Sequence, residues 1–202
     1  MNSKIVILFL ATTTLLSCNN SDDATDKTSV IDSSISTSAK VSPDTTKTSS
    51  SPDTIVALRY YNDGNLKKKA QDYKGAIADF TKAIDINPRY SSAYNNRGST
   101  KGMLSDFKSA LSDFTKAVEY DSTNVDAFFN RGLVRAKLND IKGAYQDFNR
   151  AIALNPNAGN YYSKRGIARS MLKDQKGACD DFSKGAQLGN AEATDYKKKF
   201  CK

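Results

Sequence analysis

The sequence predicts an all-α solenoid of four helix–turn–helix units closed by a C-terminal capping helix. Three observations predict it. Glycine recurs at steps of 34 residues, at Gly64, Gly98, Gly132 and Gly166. Alanine keeps the same step at Ala76, Ala110, Ala144 and Ala178, and phenylalanine at Phe80, Phe114, Phe148 and Phe182. Within each unit Ala76, Phe80 and Ala83, with their equivalents, form the i, i+4, i+7 stripe of an amphipathic helix. A period of this size marks a stacked array, because one unit alone cannot bury its apolar face.

The chain divides into a leader at 1–17, a tether at 18–54 and the helical array at 55–202. Lys4 followed by the apolar run from Ile5 to Leu16 has the charge and length of a secretory leader. Twelve residues are too few for a spanning helix, which needs ~20. The run ends in Leu15-Leu16-Ser17-Cys18, which resembles the bacterial lipobox. That resemblance implies cleavage before Cys18, fatty acylation of its thiol and anchoring in a membrane. Asn19 follows in place of the aspartate that resembles an inner-membrane retention signal, so the implied destination is the outer membrane, on its periplasmic side or at the cell surface. From Asn19 to Thr54 the composition is Ser, Thr and Asp with no aromatic residue, too little apolar area to offset chain entropy. As a flexible coil this tether would reach ~30–36 Å.

The array is read in units 57–90, 91–124, 125–158 and 159–192, with a cap at 190–202. An aromatic stands at the fourth place of each first helix: Tyr60, Tyr94, Phe128 and Tyr162. The repeated glycine follows four residues later on the same face, where the missing side chain lets the second helix approach. Asp72, Asp106, Asp140 and Asp174 precede the second helices as N-caps. Pro88 and Pro156 end two of those helices, after Asn87 and Asn155. The cap carries Ala191, Ala193, Tyr196 and Phe200 towards the core and Lys197, Lys198 and Lys199 towards water.

This pattern resembles the tetratricopeptide repeat (TPR), whose 34-residue hairpins coil into a right-handed superhelix. Departures are few: Ser122 and Asn190 replace proline, and Gly185 replaces the late alanine. Lys67, Lys101, Arg135 and Arg169 stand where the family commonly has an aromatic. With Asn96-Arg97-Gly98 and Asn130-Arg131-Gly132 the chain resembles the Asn-Arg-Gly subclass of bacterial TPR proteins.

Arg97, Arg131 and Arg165 carry two readings. They could fork carboxylates in a groove. Alternatively, each lies 18 residues after Asp79, Asp113 or Asp147 on the preceding unit's second helix, and the expectation is a buried inter-repeat ladder that specifies register. Cys179 and Cys201 are equidistant from Asn190, where the chain turns. Two antiparallel helices folded there bring them level, as a disulfide in an oxidising compartment or as two free thiols.

By resemblance to TPR domains, a ligand lies along the concave wall of first helices. Here that wall presents Tyr61, Asn62 and Asn65, then Asn95, Asn96 and Ser99, then Phe129, Asn130 and Leu133, then Ser163, Lys164 and Ile167. Facing asparagines clamp peptide backbone by amide hydrogen bonds, and the aromatics add apolar contact. The set resembles in part the clamp that grips chaperone tails, with Tyr61 and Asp126 where that clamp uses lysine.

Composition narrows function further. Histidine is absent, which removes imidazole bases, Ser–His and Cys–His nucleophiles and imidazole zinc sites. No phosphate-cradling glycine loop, nucleophile elbow or C-x-x-C pair occurs. No cofactor or catalytic residue is expected. Residues 1–54 hold 4 Lys and 6 Asp, whereas 55–202 hold 26 Lys and Arg against 16 Asp and Glu, so the array is basic. An envelope polyanion is therefore one candidate ligand, and the leader argues against nucleic acid. The reading is a membrane-anchored scaffold holding a protein or peptide partner on its concave face. An assembly factor for a secretin or β-barrel, or a polyanion binder, is the alternative.

Overall fold

The structure, a computed structural model, describes residues 51–201. The leader, Cys18 and nearly all of the tether lie outside the described residues. The first unit pairs α1 (Pro52–Lys69) with α2 (Tyr73–Ile86), and the second pairs α3 (Ser91–Met103) with α4 (Phe107–Tyr120). The third pairs α5 (Val125–Lys137) with α6 (Ile141–Leu154), and the fourth α7 (Gly159–Met171) with α8 (Gln175–Gln187). The capping helix is α9 (Ala191–Phe200). Together they build a solenoid of paired helices.

The first helix starts earlier than the sequence boundary of 55. Ser51 is its N-cap, its hydroxyl accepting from Thr54 N at 3.3 Å, and Pro52 sits in the first turn. A proline there loses nothing, because a first-turn N–H has no intrahelical partner. The last residues of the expected tether are thus helical.

Each hairpin closes by the same chemistry. Asp72, Asp140 and Asp174 cap their helices by accepting from Gly75, Gly143 and Gly177 N, each at 2.9 Å. Asp106 does the same from Ser109 N at 3.2 Å, where the serine brings a Cβ to the place that glycine keeps clear. The residue before each of these aspartates has a left-handed backbone, with φ of 62° at Gln71, 63° at Ser105, 65° at Asn139 and 70° at Lys173. The bend lets Asp72 N reach back to Lys67 O at 2.9 Å, and Asp140 N to Arg135 O at 2.8 Å. These bonds satisfy carbonyls that a helix end leaves orphaned.

The core lies between the two helices of each hairpin. Phe80, Phe114, Phe148 and Phe182 are at most 1% exposed, over Ala76, Ala110, Ala144 and Ala178 at 0%. Each ring contributes roughly 1.5–3 kcal/mol by leaving water. The repeated glycines make room for it: a Cβ on Gly132 would stand 2.7 Å from Phe148 Cε1, and one on Gly166 2.6 Å from Phe182 Cε1.

The final connection differs from the others. Helix α8 ends with Gly189 at φ +81°, and Asn190 N bonds back to Gly185 O at 2.9 Å. Asn190 then caps α9 by accepting from Ala193 N at 2.8 Å. Tyr90, Asn124 and Ala158 are the N-caps of the earlier first helices, so α9 begins two residues early in the 34-residue frame. The shorter turn draws α9 close. A Cβ on Gly185 would stand 2.7 Å from Ala193 Cβ, which accounts for glycine there in place of alanine.

Candidate functional site

The wall of first helices is joined across units by side-chain amides. Asn96 Nδ2 donates to Asn65 Oδ1 at 2.8 Å and to Tyr61 Oη at 3.0 Å. Asn95 Nδ2 donates to Asn96 Oδ1 at 3.3 Å, and Asn130 Nδ2 to Asn95 Oδ1 at 3.1 Å. Tyr61, Asn65 and Asn96 are half-buried, so they keep surface for a ligand, whereas Asn95 and Asn130 are buried. Ser99 is buried too and accepts from Lys68 Nζ at 3.2 Å. Phe129 stacks at 4.7 Å on Tyr161 and at 5.8 Å on Phe148, and half-buried Leu133 packs against the same cluster. The open part of the wall therefore runs from Tyr61 through Asn65 and Asn96 to Phe129 and Leu133.

Three expected wall residues sit elsewhere. Ile167 is 5% exposed and belongs to the core under α9, with Ala178, Phe182 and Tyr196. Lys164 is held by Glu192 at 2.7 and 2.8 Å, and Ser163 Oγ donates to the same carboxylate at 2.9 Å. The capping helix thus takes the fourth unit out of the wall. Asn62 is exposed; its equivalents Asn96 and Asn130 meet the unit before them, and among the described residues no unit precedes the first.

The arginines form a lattice, but not the expected one. Arg97 forks Asp113, with Nε to Oδ2 at 3.0 Å and Nη2 to Oδ1 at 2.7 Å. Arg131 forks Asp147 at 3.0 and 2.7 Å, and Arg165 forks Asp181 at 2.9 and 2.6 Å. The partner is the aspartate 16 residues ahead in the same hairpin, not the one 18 behind in the unit before. Antiparallel helices of one hairpin set the seventh and twenty-third places side by side, which corrects the inter-repeat pairing with Asp79, Asp113 and Asp147. The preceding unit is still touched: Arg97 Nη1 donates to Thr81 Oγ1 at 3.1 Å, and Arg165 Nη1 to Asn149 Oδ1 at 2.8 Å.

A second cation meets each aspartate. Lys101 reaches Asp113 at 2.7 Å, Arg135 reaches Asp147 at 2.9 Å and Arg169 reaches Asp181 at 3.2 Å. In the first unit Lys67 lies 2.5 Å from Asp79, and that carboxylate raises the lysine above its ordinary range. The acid side chains are 3–5% exposed, so each carboxylate is buried with two cations around it. The departure at Lys67, Lys101, Arg135 and Arg169 from the family aromatic thus supplies the second charge. Sequence reading noted those residues without a role; their 12-residue spacing to the aspartates was the available signal.

Cys179 and Cys201 are joined, with sulfurs 2.06 Å apart, so the end of α9 is fastened to α8. Among the described residues no group of histidine, cysteine and acid side chains could hold a metal ion. None of the described helices is long and apolar enough to cross a membrane.

Tetratricopeptide-repeat profiles match residues 58–90, 91–124 and 125–158, half of the chain. The chain belongs to the tetratricopeptide repeat family. Among solved structures it is similar to the first TPR of Spaghetti (RPAP3) bound to the HSP90 peptide SRMEEVD, at 28% identity and a TM-score of 0.58. That likeness covers 59% of this chain and 95% of the other. The TPR domain of Arabidopsis OM64 is 29% identical with a TM-score of 0.54, over 60% of this chain and 97% of its own. MamA (residues 41 to the end) from Desulfovibrio magneticus RS-1 shares the fold at 21% identity and a TM-score of 0.61, covering 67% and 76%. No curated protein matches the chain. A TPR solenoid of this kind is a scaffold for protein and peptide binding, a fold typical of non-catalytic proteins.

Proposed function

We propose that this TPR chain, of the Asn-Arg-Gly bacterial type, is a lipoprotein scaffold of the outer membrane. Cys18 carries the acyl anchor, and the wall of first helices grips an extended segment of a protein partner. The observation that carries the reading is the amide chain Asn65–Asn96–Asn95–Asn130, flanked by Tyr61 and Phe129. Asn65 and Asn96 keep surface on the wall while buried Asn95 and Asn130 hold them in place, a fixed arrangement that suits backbone recognition and lowers the ordering cost of binding. Peptide binding by the RPAP3 domain, 28% identical, supports the same use of the fold. The Cys179–Cys201 bridge supports an oxidising compartment, as the cell envelope is and the cytosol is not.

A photo-crosslinking side chain placed at Asn65 or Asn96 in cells tests the reading. It should give one discrete adduct, which the same group at exposed Lys108 does not give. Adducts from both faces alike, or from neither, reject the wall as the site. Cys18→Ser should move the protein from the membrane fraction to the soluble one. The basic array favours a second ligand class, an envelope polyanion. Binding of that kind should weaken steeply between low and physiological salt, while a peptide on the wall should be little affected.

A further inference from the structure

The first unit lacks two things that the other three have. One is cover. The third, sixth and tenth places of each unit are Arg59, Asn62 and Leu66 in α1, but Ala93, Asn96 and Thr100 in the second unit and Ala127, Asn130 and Val134 in the third. Where a preceding unit stacks they are half-buried or buried; in α1 they are exposed, Leu66 at 64%. With Ile55 at 58%, Leu58 at 47% and Lys69 they form one helical stripe at steps of three and four residues.

The other is a guanidinium. Asp113, Asp147 and Asp181 each receive an arginine Nη2 on Oδ1 at 2.6–2.7 Å. Oδ1 of Asp79 has Lys82 Nζ at 3.7 Å instead, beyond hydrogen-bonding distance. Asp63 stands where those units place the arginine. The site in the second unit (Arg97, Lys101, Asp113, Lys116) sums to +2, and the same places in the first (Asp63, Lys67, Asp79, Lys82) sum to zero. A cleft opens there beside Leu66, lined by Tyr60, Asp63, Lys67, Asp79 and Lys82. Tyr60 supplies the aromatic shelf that Tyr94, Phe128 and Tyr162 offer to the arginines at 5.4 Å.

We propose that a second copy of this chain completes the site, α1 packing antiparallel on α1 about a two-fold axis at Asn62, with Arg59 of each copy entering the Asp63–Asp79 cleft of the other. The stripe is complementary to itself in that register. Leu58 lies opposite the partner's Leu66, Asn62 opposite the partner's Asn62, and Ile55 opposite the stem of the partner's Lys69. Arg59 falls beside the partner's Asp63. A C2 contact has this property by construction, each pairing occurring twice. Residues 1–50 contain no arginine, so the chain's own leading segment cannot supply the fork. Arg59 is exposed, with its guanidinium 5.5 Å from the adjacent Tyr60 ring.

The test places a cysteine on the axis. The full chain carrying Asn62→Cys, oxidised mildly in membranes, should give a band of twice the chain mass on a non-reducing gel, and exposed Lys108→Cys should not. Adding Arg59→Ala, Leu66→Lys or Asp63→Arg should lower the dimeric fraction at least tenfold. Asp63→Arg fills the cleft from within, as the other units do, and should melt no lower than the parent. Arg59→Ala alters an exposed side chain only, so its result does not depend on folding. The proposal is overturned if Asn62→Cys stays monomeric, if Arg59→Ala and Asp63→Arg crosslink as well as the parent, or if the adduct is with another protein.

Discussion

At the scale of the residue, the buried aspartates decide most. Asp147 has a side chain 3% exposed and two arginines on it, at 2.7 and 2.9 Å. Taking two charges out of water costs several kcal/mol per ion, and close forked geometry offsets that cost only while both partners are present. Arg131→Ala should therefore destabilise by about 3 kcal/mol, with Arg135 still in place. Replacing Arg131 by Met together with Asp147 by Leu should recover most of the loss. Denaturant unfolding of the two variants checks this; equal instability of both would mean that packing around the pair, not its charge, carries the effect. The sequence led to Asp113, 18 residues back, as the partner of Arg131, whereas the structure gives Asp147, 16 ahead. Linear distance does not reveal this, because the pairing depends on which helix lies antiparallel and adjacent. The left-handed turn residues were invisible for a related reason. Gln71, Ser105 and Lys173 are not residues that advertise a positive φ, and only the reach-back bonds of the following aspartates require it.

At the scale of the element, period and caps were legible because each rests on a local rule. Helix N-caps need a short acceptor, and the stripe of alanine and phenylalanine needs only helical spacing. The capping helix was legible in its faces at Ala193, Tyr196 and Phe200, but Ala191, expected towards the core, is exposed. Its register was not legible, since the two-residue shift comes from Gly189 and Asn190 acting together. In that helix Tyr196 is 7% exposed, and burial, with Glu192 nearby, pushes its phenol up to about 12 from an ordinary 10. A raised acid favours the protonated form in the fold. Its contribution is complete below pH 10 and is lost as pH rises towards about 12. The melting temperature should fall across that window, and Tyr196→Phe should flatten the fall. A variant that titrates like the parent would place the alkaline sensitivity elsewhere.

At the scale of the whole molecule, the array transmits little from end to end, because each unit touches chiefly its neighbours. The Cys179–Cys201 bridge closes a separation of 22 residues and adds about 3 kcal/mol in the loop-entropy account. Reduction should loosen α9 and α8 and leave α1 to α4 unchanged. Hydrogen exchange before and after reductant reads this; uniform loss of protection along the chain would contradict nearest-neighbour coupling. The wall was half legible on the same grounds. Tyr61, Asn65, Asn96, Phe129 and Leu133 lie open where unit faces unit regularly, whereas Lys164 and Ile167 were taken by a cap whose path no period describes. The anchor at Cys18 rests on the lipobox pattern, outside the described residues.

The short turn before α9 also fixes where such a chain can lengthen. A duplicated segment spliced between 124 and 125 keeps the 34-step frame and would give a longer wall of the same pitch. One spliced after Gln187 would meet a helix already advanced by two residues and find its seat taken. Duplication cannot therefore extend this spiral past its last unit, with Asn190 as its full stop.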